Sequence, residues 1–257
     1  MDLIDTHSHI DLEIFSGDFH QVLARARMNG VIGQVLPGVY RAGWKRILSL
    51  CEIEKDLYPA LGLHPMYLRH HAPGDLKELQ KHALSGSLVA IGEIGLDYFI
   101  KDVDKSAQQE LLEAQLEIAA EAGLPVLLHV RKAHDQVQKT LRRLRFGNGG
   151  IVHAFNGSLQ QAEHYLKLGF LVSICGTISY DRATKIRAVA AHLPLQSLVL
   201  ETDSPDIPPA AFHGERNSPE HLPVILQDLA SLRKESVEEI AEQTTENAEK
   251  LLLLQVM

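Results

Sequence analysis

The chain has 257 residues, 45% of them apolar and 23% charged, so it can bury a large core in water. Its formal net charge of −8 is opposite in sign to the footprint of a dedicated nucleic-acid-binding module. A polyanionic substrate must therefore be held locally, by metal or by a few basic groups.

Two cysteines far apart in sequence, Cys51 and Cys175, suggest no disulfide framework. No secretion-like segment and no membrane-length apolar run stands out, so the expected location is the cytoplasm, with no membrane and no obligate protein partner.

Short apolar runs alternate with longer amphipathic ones along the whole chain. The strand-like runs are 3–9, 31–36, 58–64, 88–94, 125–130, 150–155, 170–174 and 197–202. Their starts are roughly 20–37 residues apart, room for a strand, a helix and two short loops. Eight such units over 1–257 with no break in composition predict one domain, an α/β fold closed as a (β/α)8 TIM barrel. An open doubly wound sheet is the alternative, because periodicity does not show closure.

Helix signals punctuate the runs. Ser106-x-x-Gln109 predicts a helix that stops at Gly123, before Pro125. Ser158-x-x-Gln161 opens another, which should stop at Gly169, and Ser236-x-x-Glu239 opens the last, which ends in a leucine run. After the eighth strand, 204–223 contains five prolines and predicts a long irregular loop. A substrate-contacting wall and a plain surface connection are equally open readings of it.

The chemistry sits at the strand ends. Asp5, His7 and His9 alternate along the end of the first strand, so all three should point into the barrel mouth. H-x-H alone is a weak metal signal. Glu93 closes the fourth strand, His129 the fifth, His153 the sixth and Asp203 the eighth, and barrel closure would bring these ends round one cavity. Imidazole plus carboxylate without thiolate suits Zn²⁺, Mn²⁺, Co²⁺ or Fe²⁺, with Mg²⁺ on the carboxylate-rich side. Six ligand-type residues exceed the needs of one catalytic ion. Two ions about 3.5–4 Å apart would use them all, with Glu93 as bridge because a carboxylate has two oxygens. One or two divalent ions (Zn, Mg or Mn) are therefore expected in a metal-dependent hydrolase.

The stretches DTHSH (5–9), GLHP (62–65), GEIGLDY (92–98), LPVLLHVR (124–131), HAFNGS (153–158) and ETDSP (201–205) resemble the TatD family of metal-dependent deoxyribonucleases. That family lies within the wider amidohydrolase-like barrel superfamily. RNSP (216–219) and TTENAEKL (244–251) extend the resemblance over nearly the whole chain. It implies His7, His9, Glu93 and Asp203 at one metal, with Glu93, His129 and His153 at the other. It also implies phosphodiester hydrolysis of DNA, often exonucleolytic. The chain departs from the family pattern at Asn156, Lys132 and Asn217-Ser218-Pro219, which bears on substrate choice and removes no ligand.

Further candidates surround the ligands. Asp203 is assigned to take the proton of the attacking water, and His64 and Arg131 to steady a phosphate. Glu201 shares a face with Asp203 and should orient a ligand or bind metal weakly. His213 and Asn217 are candidate substrate contacts from the proline-rich stretch. Cys175, near the same rim, reads as a small buried thiol, and most remaining histidines should face solvent. The expected substrate is a DNA end or short oligonucleotide. A C–N or ester bond in a small molecule is the alternative, and a non-catalytic metal-binding protein a third reading. The strand-four ligand favours the nuclease, since Glu93 stands where many C–N-cleaving relatives carry a carboxylated lysine.

Overall fold

A computed structural model describes residues 1–102 and 104–254; Val103 and 255–257, which belong to the expected 1–257 domain, lie outside the described residues. In chain order the elements are β1 (Leu3–Asp5), α1 (Phe19–Met28), β2 (Val31–Pro37), α2 (Arg41–Ile53), β3 (Leu57–Leu61) and α3 (Asp75–Ala83). They continue with β4 (Ala90–Asp97), α4 (Lys105–Ala122), β5 (Val126–Arg131), α5 (His134–Leu144), β6 (Gly150–Val152) and α6 (Leu159–Leu166). The chain ends with β7 (Phe170–Ile174), α7 (Thr184–His192), β8 (Leu198–Leu200), α8 (Leu222–Ala230) and α9 (Val237–Leu252).

Each strand pairs in parallel with the next, from β1 through β8. The seam between β8 and β1 is stitched just beyond the ladder: Thr6 N–H donates to Leu200 O at 3.0 Å, Asp203 N–H to His7 O at 2.9 Å and His9 N–H to Ser204 O at 2.8 Å. Ser8 and Ser204 form a parallel bridge there. The fold is the expected (β/α)8 barrel, and the open sheet is excluded.

Inside the barrel, Ile4, Val35, Ala60, Ala90, Leu127, Ile151 and Val199 pack with Ala248 and Leu252 of α9, which plugs the floor. A larger apolar shell lies between strands and helices. Strands buried on both faces need continuous apolar runs rather than alternation, which explains why those runs were conspicuous in the sequence.

The predicted helix punctuation is partly right. Ser158 and Ser236 form complete capping boxes with Gln161 and Glu239. The α4 cap is Asp104, not Ser106: the Asp104 carboxylate accepts from Ala107 N–H at 3.0 Å, two residues earlier than expected. Asp104 is the stronger signal because a carboxylate also complements the positive end of the helix. Gly123 ends α4 at φ +68, a left-handed position that glycine adopts without strain. α6 stops at Leu166, short of Gly169.

Several strands are shorter than their apolar runs. β1 stops at Asp5, β6 at Val152 and β8 at Leu200, so His7, His9, His153 and Asp203 lie past the ladder. β4 instead runs on to Asp97. It is held against β5 at Gly95↔His129, where a Cβ on Gly95 would come within 1.9 Å of His129 O. Only glycine allows that approach, and the approach places Glu93 beside His129. The proline-rich stretch is irregular, with two short 3-10 turns at Ala210–Phe212 and Pro219–His221.

Candidate metal centre

The strand ends converge on a cavity of about 470 Å³ at the C-terminal mouth of the barrel. His9, His64, Glu93, His129, His153 and Asp203 line it, with Asp206 from the proline-rich loop; Leu12, Val39, Tyr40, Met66, Tyr67 and His70 form the rest of the wall. His7 lies beneath it, fully buried.

Glu93 is the hub. Its Oε2 lies 3.3 Å from His7 Nε2 and 3.7 Å from His9 Nε2. Its Oε1 lies 3.0 Å from His129 Nδ1, 3.1 Å from His64 Nε2 and 3.7 Å from His153 Nε2. Asp203 Oδ1 sits 3.7 Å from His7 Nε2, 3.8 Å from His9 Nε2 and 3.9 Å from His153 Nε2. His7 and His9 turn their Nε2 atoms to within 3.2 Å of each other. Two buried imidazole nitrogens that close need a shared proton or a shared cation, and the carboxylate oxygens around them favour a cation. Three overlapping sets could each hold an ion: His7, His9 and Glu93; His7, His153 and Asp203; and His64, Glu93 and His129.

His64 differs from its neighbours. Its Nδ1 accepts from Met66 N–H at 3.1 Å, so the neutral ring carries its proton on Nε2 and donates it to Glu93 Oε1. That tautomer suits a donor that steers Glu93 rather than a ligand. The other two imidazoles on that side are oriented from behind. Asp97 Oδ2 is 3.0 Å from His129 Nε2, and Glu201 Oε1 is 3.0 Å from His153 Nδ1. Each leaves the opposite ring nitrogen facing the cavity.

The electrostatics separate the carboxylates. Burial opposes charge on Glu93, yet His64, His7 and His153 hold its carboxyl well below the ordinary range. Burial pushes Asp203 well above it; His153 opposes the rise, and Glu201 and Glu93 reinforce it. Burial lowers His9, aided by His7, to about 3. Burial acts downward on His153 too, but Glu201, Asp203 and Glu93 outweigh it and raise it to about 10. The charge and the proton thus reside on different groups within one cluster.

The structure gathers His7, His9, Glu93, His129, His153 and Asp203 at one place. Glu201 stands behind His153, fully buried, where it also accepts from Ala154 N–H at 2.7 Å. Asp5 does not reach the cavity: it is fully buried and accepts from Thr202 N–H at 2.9 Å and Thr202 Oγ1–H at 2.5 Å, pinning the seam. Asn217 is also kept from the cavity. Its amide nitrogen donates to Thr202 O and Asp206 O, both at 2.8 Å, so it ties down the loop from inside. His213 is exposed and outside the lining, its Nδ1 3.2 Å from the Tyr180 hydroxyl. Arg131 stands at the rim, its guanidinium 3.8 Å over the Phe99 ring.

Cys175 is buried, and burial, with Glu201 repelling charge, pushes its thiol up to about 12. It is an uncharged thiol at neutral pH, and both cysteines are free. Two histidines expected to face solvent do not. His134 is buried against Asn156 and Tyr165, and His221 stacks on Phe212 at 3.7 Å.

Sequence reasoning missed Asp97 and Asp206. Asp97 was legible by the strand period of two, since Glu93, Gly95 and Asp97 share one face of β4. Asp206, in irregular structure, has no comparable signal. Among the described residues no helix is long and apolar enough to cross a membrane.

The profile of the family described as TatD related DNase matches residues 4–253. YjjV of Escherichia coli (strain K12), described as an uncharacterized metal-dependent hydrolase, is 44% identical over 246 residues, 95% of each chain. Its crystal structure superposes with a TM-score of 0.95 and 98% coverage of both chains. A protein of Edwardsiella piscicida named 3'-5' ssDNA/RNA exonuclease TatD is 34% identical over 248 residues, 93% of this chain and 95% of that one.

Proposed function

The chain belongs to the TatD-related DNase family and is a metal-dependent hydrolase, and from that premise we propose that it hydrolyses phosphodiesters of DNA, from single-stranded ends, with two divalent ions. The observation that carries the proposal is the division of Glu93, one oxygen toward His7 and His9 and the other toward His129 and His153. A bridging carboxylate between two imidazole pairs is the donor set of a two-ion hydrolytic site. The name of the Edwardsiella relative supports nucleic acid as the substrate class.

His7, His9, Glu93 and Asp203 would hold one ion, and Glu93, His129 and His153 the other. When bound, such ions bring the pKa of a water from 15.7 to near 7 and offset about four units of phosphate and transition-state charge. The chain's own groups do the rest. Asp203, a buried carboxyl that must give up its own proton to help hold an ion, would as a carboxylate take the proton of the attacking water. His64 holds Glu93 in place through its Nε2–H, while Asp97 and Glu201 fix the rings of His129 and His153. Arg131 and Lys132, at the rim, meet phosphates that trail out of the cavity. The whole chain, 1–257, acts as one domain.

A second reading keeps the site and changes the substrate to a C–N or ester bond in a small molecule. The specific observation for it is that, among the described residues, no lysine or arginine lines the cavity.

One experiment separates the two: metal-depleted protein reconstituted with Mg²⁺, Mn²⁺ or Zn²⁺, offered short single-stranded DNA, a lactone and a cyclic amide. Cleavage of the DNA alone is expected. Turnover of the lactone or amide with intact DNA would overturn the nuclease reading.

A further inference from the structure

We infer that a second cavity, beside the metal centre but separate from it, holds a phosphate of the strand that trails from the reacting end. The inference rests on the phosphodiesterase reading and names where the rest of that substrate is gripped.

The second cavity has a volume of about 550 Å³ and lies where the loops after β4, β5 and β6 meet the start of α7. It shares no lining residue with the cavity over Glu93. The two are nonetheless neighbours. Lys132 stands three residues beyond His129, and Asn156 three beyond His153, a reach of at most about 10 Å of chain. A strand whose end lies at the metal centre passes over this rim within a few nucleotides. Lys132 and Asn156, both in the lining, are also positions at which the chain departs from the family pattern. The character of this cavity therefore belongs to this chain rather than to the shared metal site.

Charge separates the two cavities. Three carboxylates, Glu93, Asp203 and Asp206, line the metal centre, and among the described residues no lysine or arginine does. Two lysines, Lys132 and Lys185, line the second cavity with one carboxylate, Asp135. Asp135 is already engaged, accepting from Gln161 Nε2–H at 2.8 Å. Among the described residues neither lysine is ion-paired, and the Lys132 ammonium lies 4.7 Å over the Phe99 ring. In a chain of net charge −8, two unpaired cations lining one cavity have an anion as their natural counterpart.

Two further donors suit that anion to be a phosphate. Ser158 Oγ accepts from Gln161 N–H at 3.2 Å, which leaves its own hydrogen for an incoming oxygen. Gly157 is buried in the same wall, and among the described residues its backbone N–H has no partner, a rare state for a buried donor. Two ammoniums, a hydroxyl and a backbone amide match a group whose oxygens accept from several directions at once. A grip on phosphate carries no sequence information, so it should act alike on every strand.

The test is hydrolysis, by the Mn²⁺-loaded protein, of single-stranded hexanucleotides in which one neutral methylphosphonate linkage is walked away from the reacting end. Wild type should show one downstream position at which KM rises about 10-fold with kcat little changed, the loss of one charge-assisted contact. Lys185→Glu should raise KM for the unmodified strand at least as much and erase the dependence on that position, with metal content and melting temperature kept. Lys185→Arg should restore both. Bis-p-nitrophenyl phosphate, too short to reach the second cavity, is the reference: Lys185→Glu should lower kcat/KM for the strand relative to that for the small diester. A wild-type KM indifferent to where the neutral linkage lies, or a position dependence that survives Lys185→Glu, overturns the inference and leaves the nuclease reading intact. Metal-free protein titrated with inorganic phosphate addresses the other source of the same group. Binding that Lys185→Glu abolishes, beside a position-independent KM, would assign the cavity to free phosphate and overturn the inference too. Cleavage of the small diester but of no oligonucleotide would remove the nuclease reading and the inference together.

Discussion

The floor and the mouth of the barrel are built by the same strands and are opposite in character. On β5, Leu127 is buried in the barrel interior, and two residues on His129 reaches the cavity. The chain at β6 repeats the pattern with Ile151 and His153, and from β8 outward the series is Val199, Glu201 and Asp203. One pleat repeat, about 7 Å, separates a side chain that holds the fold from one that can hold a metal. The site's cost is therefore local. Buried carboxylates and imidazoles crowd a mouth whose apolar foundation does not depend on them, so each region can be broken while the other survives.

The largest expected effect is at the mouth. Removing metal by chelation should abolish hydrolysis and leave the far-UV circular dichroism unchanged, because Leu127, Ile151 and Val199 still pack on α9. A chelator that unfolded the chain would instead make the metal a structural one. The converse substitution is Leu127→Ala. It should lower unfolding free energy by about 2–5 kcal/mol in a denaturant titration while leaving kcat of the folded fraction within about twofold. A large fall in kcat at unchanged stability would erase the distinction between the regions.

Asp97→Asn probes the boundary, since Asp97 touches His129 and not the cavity. Metal affinity should fall about 10–100-fold, with little change in melting temperature. An unchanged affinity would show that His129 needs no support from behind. The smallest effect belongs to the floor's outer support. Ser236→Ala removes the capping box of α9, which carries Ala248 and Leu252 into the barrel. It should cost about 1 kcal/mol, read by denaturant titration, with metal stoichiometry unaltered.

The same contrast explains what the sequence could reveal. His129, His153 and Asp203 were legible because a ligand-type residue ending an apolar run is conspicuous, and parallel closure sends every such end to one place. Asp97 escapes notice because the apolar run 88–94 ends at Ile94, whereas β4 continues to Asp97. Asn217 was misjudged for a different reason. Nothing in N-S-P tells that the amide is used up on Thr202 and Asp206 carbonyls. Tyr67 and Asp206 enter the cavity from irregular segments, where no period predicts direction. Strand ends are readable in advance; loop walls become readable only when the chain has folded.

The central claim is that Glu93 joins two metal positions, and the most direct measurement is the number of ions per chain by elemental analysis after reconstitution with Mn²⁺, for wild type and Glu93→Ala. The account predicts two ions in wild type, at most one in the variant, and hydrolysis reduced about 10²–10³-fold or more. A variant that still holds two ions and turns over DNA at the wild-type rate would contradict it.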